Sequence, residues 1–394
     1  MQDKGLKVIQ FVDSYYPHID GVVKVVDNYA KTLNSMGDNC IVCTPNCGKH
    51  NEVFPYRVLT CPSLPTGTEA HPALPELQVK MRREVLSYGA DIIHSHSPFM
   101  MGRYGLKMAR KLGVPYVTTF HSKFYDDFLA YTHSKRFAEF GVRYILKLYN
   151  NADAVWAVNN GTAETLRSYG FKGEIGVMPN GVDCDCFYPD DPEKYISAAN
   201  EAYPLPCDGL KILFVGQLIW QKNHKLVLDT VALLTKQGIP VSLTVAGAGD
   251  HGKAIMAYAD KLGISSRVAY VGRVTKKELL QGLYLRSDLF FFPSMYDNAP
   301  ITLQEASLNR VPALLLRGSN AAECIRDREN GYLTADDPAE AAEVIKSIIA
   351  DLDGNRQMGI NASQSIVNRW EDILVEVRAA YVELINKVKR DKGI

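Results

Sequence analysis

Short apolar segments of strand length recur along the chain, each followed by a longer stretch with helical spacing, and this alternation is what most constrains the fold. Lys7 to Asp13 is one such segment, leading through the loop Ser14 to Gly21 into a helical pattern from Val22 to Met36. Further apolar runs stand at Asn39 to Thr44, Ile92 to His94, Tyr116 to Phe120, Ala154 to Val158 and Ile175 to Met178. Strand, loop and helix in repeated order build a doubly wound parallel sheet, whose strands are apolar on both faces because helices cover both. A second series opens at Leu210, with a strand over Lys211 to Gly216, a helix over Asn223 to Gln237 and a strand over Val241 to Ala246. The 394 residues suit two such α/β domains better than one. The domains are expected at 1–190 and 210–369. Between them, 191–209 is rich in Pro, Asp and small residues and reads as a hinge, and 370–394 has the periodicity of a terminal helix.

Lys and Arg total 44, as do Asp and Glu, which argues against a nucleic-acid binder held by phosphate contacts. From Arg103 to Lys147, however, nine basic residues face Asp126, Asp127 and Glu139, a net charge of +6. No long apolar run and no apolar leader after Met1 are present, so the chain is expected in the cytoplasm. Cys40, Cys43, Cys47 and His50 loosely match a zinc spacing. On a strand, however, Cys40 and Cys43 face opposite sides, and reduced buried thiols are the expected state.

The densest chemical signal lies between Asp288 and Asn309. Asp288 to Phe292 is apolar like a buried strand, Pro300 is placed at the first turn of a helix over Ile301 to Asn309, and Asp297 and Glu305 flank the turn with seven residues between them. Amides at such a helix start suit a diphosphate. The competing reading is a proline-nucleated helix with a capping acid. Lys222, after the segment Phe214-Val215-Gly216-Gln217-Leu218, offers a cation, and Gly247, Gly249 and Asp250 form a glycine-rich turn that by itself only connects.

The D-x7-E motif resembles that of retaining glycosyltransferases of family 4, which have the two-domain GT-B fold. The resemblance implies two Rossmann-like domains facing a cleft, with the terminal helix crossing back to the N-terminal domain. It gives Asp297 the donor's sugar hydroxyls and Glu305 the ribose, with Asn298, Ala299, Pro300, Ile301 and Thr302 lining the donor between them. Asp297 stands where the family usually has Glu, and Pro300 where it has Gly, removing one amide. Lys222 and Gln217 match a segment in which an Arg and a Lys clamp the diphosphate. Gln217 replaces the Arg and cannot neutralise a phosphate, leaving Arg273 and Arg317 as compensating candidates. Gly216 ends the preceding strand, and Arg273 follows a strand that frames the base. Tyr16 to Val23 matches the loop approaching the donor phosphates. There Gly21 leaves room and Asp20 either meets the sugar or acceptor or caps the helix. His121, after Thr118-Thr119-Phe120, matches a histidine at the reaction centre, while His94 and His96 read as structural. Asp183-Cys184-Asp185 looks like a metal-binding D-x-D but falls in a turn of this family, Pro179 to Asp183.

The resemblance therefore implies metal-independent transfer with retention, without a cofactor, from a nucleotide sugar, with UDP-glucose expected. Catalysis falls to His121, Lys222 and Asp297. The segment after His121 resembles enzymes that glucosylate diacylglycerol at membranes, with Tyr125, Arg136, Phe140, Arg143 and Lys147 as acceptor or anionic-membrane contacts. Phe137, Phe140, Tyr144 and Leu148 are expected along one side of the helix and the basic residues along another. A soluble sugar or glycan acceptor is one alternative, and a donor-binding homologue with little transferase activity is another.

Overall fold

The structure, a computed structural model, describes residues 5–18, 20–49, 51–64, 72–182 and 188–393. The chain divides into two compact units, Met1–Asn180 with Arg369–Ile394, and Gly181–Asn368.

The first unit holds strands β1 (Lys7–Phe11), β2 (Asn39–Pro45), β3 (Arg57–Cys61), β4 (Ile92–Ser95), β5 (Tyr116–Phe120), β6 (Ala154–Ala157) and β7 (Gly176–Val177). They form one sheet in the order β3-β2-β1-β4-β5-β6-β7, parallel throughout. Ile9 of β1 pairs with Ile41 of β2 on one side and with Ile93 of β4 on the other. The chain winds outward from β1 to β3 and returns to β4, so the strand order reverses between β1 and β4. At such a reversal the loops leave toward opposite faces and open a crevice at the carboxyl ends of the strands.

The helix Gly21–Ser35 buries Val23, Val26, Tyr29, Ala30 and Leu33. It starts at Gly21 because the Asp20 carboxylate accepts the Val23 amide at 2.8 Å, satisfying one first-turn donor. The terminal helix Trp370–Asp391 belongs to this unit, as the resemblance implies. It buries Trp370, Leu374, Val377 and Tyr381, with Trp370 edge-on to Tyr29 at 5.8 Å. Arg378 Nε donates to Asp38 Oδ2 at 3.1 Å, and Lys392 Nζ donates to the Gly113 carbonyl at 2.6 Å. Cys40 receives Gln10 Nε2 at 3.4 Å, whereas Cys43 lies in an apolar cluster with Phe11, Leu59 and Cys61. His50 lies outside the described residues, as do Asp183, Cys184 and Asp185.

The second unit repeats the logic with β8 (Leu210–Val215), β9 (Val241–Ala246), β10 (Val268–Gly272), β11 (Leu289–Phe291), β12 (Ala313–Leu316) and β13 (Tyr332–Thr334). Their order is β10-β9-β8-β11-β12-β13, all parallel, and it reverses between β8 and β11.

The segment 191–209, expected as a hinge, instead carries the helix Pro192–Ala202 inside this unit. Pro192 occupies the first turn, and the Asp191 carboxylate caps it by accepting the Lys194 amide at 3.4 Å. Buried Arg286 anchors its end by donating to the Ala199 and Tyr203 carbonyls at 3.3 and 2.6 Å. Passage between the units falls at Asn180/Gly181 and again at Asn368/Arg369, and the Val182 amide donates to the Asn368 carbonyl at 2.9 Å beside both points.

Trp370 is 2 % exposed. Trp370→Ala should therefore destabilise the first unit by about 3–5 kcal/mol through the cavity it leaves, read as a lowered urea midpoint of that unit's unfolding.

Candidate functional site

In the second unit the strands at the reversal, β8 and β11, are neighbours, with Leu289 opposite Ile212 and Phe290 opposite Leu213. The loops that leave their carboxyl ends therefore start side by side. After β8 the chain passes Gly216 and Gln217 and makes the 3-10 turn Trp220–Lys222. After β11 it turns at Ser294, whose buried hydroxyl accepts the amides of Tyr296 and Asp297 at 3.2 and 3.3 Å. The two loops meet through an ion pair between Lys222 Nζ and Asp297 Oδ1, both largely buried. The ammonium also lies 5.6 Å from the Phe292 ring centroid and 5.5 Å from that of Tyr296.

Pro300 is the N-cap of the helix Ile301–Leu308 rather than a residue of its first turn, as the sequence had suggested. Proline brings no amide and no side-chain cap, so the first-turn amides after it have no side-chain acceptor. Around this helix start two buried polar atoms have no hydrogen-bond partner, Asp297 Oδ2 and Thr302 Oγ1. Buried oxygens are rarely left so, and two of them beside a cation and an uncapped helix N-terminus form a cradle for a polar, anionic ligand. Further along the turn, Asn298 Oδ1 accepts Asn320 Nδ2 at 2.7 Å and Glu305 Oε2 accepts the Tyr284 hydroxyl at 2.9 Å. Ala299 and Ile301 are half-buried between them.

The glycine-rich turn does more than connect. Gly247 has φ +149°, and a Cβ there would stand 1.8 Å from the Gly216 carbonyl oxygen. A Cβ on Gly249 would come within 2.7 Å of Leu218 backbone atoms, so both glycines are needed for the β9 loop to lie against the β8 loop.

Of the compensating cations, Arg317 is committed to Glu340 at 3.0 Å, while Arg273 is exposed and forms no ion pair among the described residues. Gln217 is exposed, and its carbonyl is met by the ring of His224 (Nε2···O 3.1 Å). His224 escaped the sequence reading. It lies 4.3 Å from the Phe214 ring, and burial pulls its pKa down to about 4, so it ties the loop as a neutral donor.

In the first unit His96 and His121 leave the ends of β4 and β5. His96 Nδ1 and His121 Nε2 are 3.1 Å apart, with the rings stacked. His94 is bonded at both nitrogens, to the Tyr381 hydroxyl at 2.6 Å and to Thr119 Oγ1 at 2.7 Å. Burial lowers the pKa of His121 to about 3 and those of His94 and His96 well below the usual value, so all three imidazoles are neutral. Asp20 acts as the helix cap, and no described atom lies within 4 Å of the position a Gly21 Cβ would take.

The local basic excess resolves into two groups. Arg110 pairs with Asp153 at 3.1 Å, Lys107 with Glu76, and Arg103 lies over the Tyr144 ring at 3.7 Å. Exposed Arg136, Arg143 and Lys147 on the helix Lys135–Tyr149 form no ion pair among the described residues. At about 100° per residue these three and Phe140 fall within roughly 60° of the helix circumference. Phe140 is 58 % exposed and Phe137 50 %, so neither accompanies buried Leu148 as the sequence had suggested. The core side is taken by Ala138, Gly141, Val142, Ile145 and Leu148. Tyr125 is half-buried on the preceding helix, Phe124–Thr132, whose Tyr131 is 81 % exposed.

Two family models match the chain: one described as Glycosyltransferase Family 4 over residues 19–186, and one described as Glycosyl transferases group 1 over residues 197–365. Alpha-monoglucosyldiacylglycerol synthase of Streptococcus pneumoniae is 22 % identical, over 89 % of this chain and 80 % of its own length. GDP-mannose-dependent alpha-mannosyltransferase of Corynebacterium glutamicum is 23 % identical, over 97 % of this chain and 90 % of its own. The crystal structure of Anabaena HepE in complex with UDP-glucose superposes with a TM-score of 0.77 at 19 % identity, covering 95 % of this chain and 99 % of that one.

The four buried histidines carry a pH dependence. Below about pH 6.5 the unfolded chain takes up protons that folded His94, His96, His121 and His224 refuse. Their contribution to stability is whole above that pH and is lost as the pH falls from about 6.5 toward 4, at up to about 1.4 kcal/mol per pH unit for each histidine. Urea midpoints should thus fall between about pH 7 and about pH 5, and His94→Gln should flatten that fall.

Proposed function

The chain belongs to the family 4 glycosyltransferases of GT-B fold, and from that premise we propose that it moves a hexose, glucose in the first instance, from a UDP-sugar to a lipid acceptor such as diacylglycerol. The transfer is metal-independent and retains the anomeric configuration. The observation that carries the donor half of this reading is the cradle at the start of the Ile301–Leu308 helix, where Lys222, Asp297 Oδ2, Thr302 Oγ1 and first-turn amides converge.

Each group has a chemical task in it. As the bond from sugar to diphosphate breaks, negative charge grows on the leaving phosphate, and a cation and helix amides already in place stabilise that charge more than the ground state. Lys222 supplies the cation. Asp297 keeps Lys222 oriented through Oδ1 while Oδ2 accepts a sugar hydroxyl, which the shorter side chain allows because it reaches both from one turn. Glu305 holds the ribose with its carboxylate steadied by Tyr284. The acceptor hydroxyl gives its proton to a donor phosphate oxygen on the face the leaving group departs from, so no enzymic nucleophile is needed. His121 contacts the transferred sugar.

The acceptor half rests on the helix Lys135–Tyr149. Its solvent face presents Phe140 among Arg136, Arg143 and Lys147, the pattern of a helix that lies on an anionic bilayer. No described helix is long and apolar enough to cross a membrane, so such contact is peripheral. Relatives named for glucosyl lipid synthesis and for GDP-mannose use leave both donor and acceptor open to assay.

The deciding experiment is product formation from a panel of nucleotide sugars, with and without diacylglycerol in anionic vesicles. Lys222→Ala should lower kcat on the order of 100-fold with circular dichroism unchanged. Turnover equal to that of the parent would remove Lys222 from the mechanism, and no turnover with any donor or acceptor would favour a donor-binding homologue. Reversing Arg143 and Lys147 to Glu together with Phe140→Ser should cut sedimentation with phosphatidylglycerol vesicles about tenfold or more, leaving neutral vesicles as the control.

A further inference from the structure

His96 has no task in the transfer as described, yet its ring holds the one directional contact that decides how His121 meets a substrate. We propose that His96 is a positioning residue that fixes His121 in the Nδ1–H tautomer, so that His121 offers a hydrogen-bond donor, not an acceptor, to the transferred sugar. The sugar contact rests on the role given to His121 above; the tautomer does not.

Between His96 Nδ1 and His121 Nε2 lies a single hydrogen bond of 3.1 Å, so one proton is shared by that pair. His96 is 2 % exposed, and its other nitrogen, Nε2, is buried with no partner. Its neighbours cannot relieve it. The Tyr29 ring is set at 79° to it with centroids 5.2 Å apart, and the His94 ring is 4.1 Å away with both nitrogens already bonded to Tyr381 and Thr119.

Two assignments are open to a neutral pair. If His121 donates from Nε2, the proton of His96 must sit on its own Nε2, a buried N–H with no acceptor. If His96 donates from Nδ1, only a lone pair is left against the apolar wall. Orphaned buried N–H groups are the rarer and costlier arrangement, so the second holds. His121 then accepts at Nε2 and carries its proton on Nδ1. A histidine in this state cannot take a proton through Nε2 and selects for an oxygen acceptor on the sugar.

The test uses the full chain labelled with 15N-histidine and a multiple-bond proton–nitrogen correlation spectrum near neutral pH, with the His121 signals assigned by their loss in His121→Gln. The expected result is protonated Nδ1 and unprotonated Nε2 in the parent. The same pattern should persist in His96→Asn, whose amide stands in for Nδ1–H, and shift toward Nε2–H in His96→Leu. Kinetically, His96→Leu should lower kcat roughly tenfold with a smaller change in donor KM, and His96→Asn should restore most of it. A parent spectrum with protonated Nε2, or an unchanged His121 tautomer in folded His96→Leu, overturns the assignment. If the tautomer is as stated but His121→Gln transfers sugar at the parent rate, the tautomer stands and the sugar contact falls.

Discussion

Parallel strands cannot be joined by tight turns, and that constraint organises everything else in the chain. Each strand has to be reached through a helical crossover that covers one face of the sheet, which is why the strands are apolar on both sides and why the loops gather at their carboxyl ends. In each unit the winding starts in the middle and changes direction once, between β1 and β4 and between β8 and β11. Every side chain with a chemical task other than membrane contact lies on a loop or helix start beyond those strand ends or their neighbours. Lys222 and Asp297 are 75 residues apart in sequence yet bonded, because β8 and β11 are hydrogen-bonded neighbours.

Charge is distributed unevenly between the two crevices. The first is lined by three histidines held neutral by burial, so their imidazoles add hydrogen-bonding direction without positive charge. The second holds a lysine whose charge is balanced by Asp297. With Gln217 in the place of a family arginine, the charge available to a leaving diphosphate comes from Lys222 and from backbone amides, with Arg273 as an exposed reserve. A carboxylate one methylene shorter than the family's holds that lysine from the facing loop, and its second oxygen is left for the ligand.

Much of the architecture was legible because it rests on long apolar runs. β5, β9 and β10 have the bounds that the pattern alone suggests, and the helix starts at 21 and 224 fall within a residue of expectation. What escaped notice was short or edge-placed. β3 is an outer strand with exposed Arg57 and Thr60, and β13 has three residues, so neither carries a run long enough to register. The supposed hinge shows composition misleading where position would have served: Asp191 followed by Pro192 is a helix-start signal, and the Pro and Asp content that suggested a linker belongs to that start. In the site, Lys222, Asp297 and Glu305 were visible as residue types near predicted strand ends. Ser294, Tyr284 and His224 were not, since each works through a partner that only the fold supplies.

The helix Lys135–Tyr149 shows why side-chain spacing needs burial beside it. Spacing alone groups Phe137, Phe140, Tyr144 and Leu148, a plausible apolar stripe. The core, however, selects the smaller residues Ala138, Gly141 and Val142, because the helix lies close against Phe128, whose ring atoms would stand 2.4 Å from a Cβ at Gly141. Close approach on that side turns the large aromatic residues outward, and Phe140 joins the basic residues on the solvent face. An exposed phenylalanine in water gains nothing for the isolated fold. Its burial, together with the neutralisation of Arg136, Arg143 and Lys147, becomes favourable only against a surface that is apolar below and anionic above, which is the chemistry of a lipid headgroup layer.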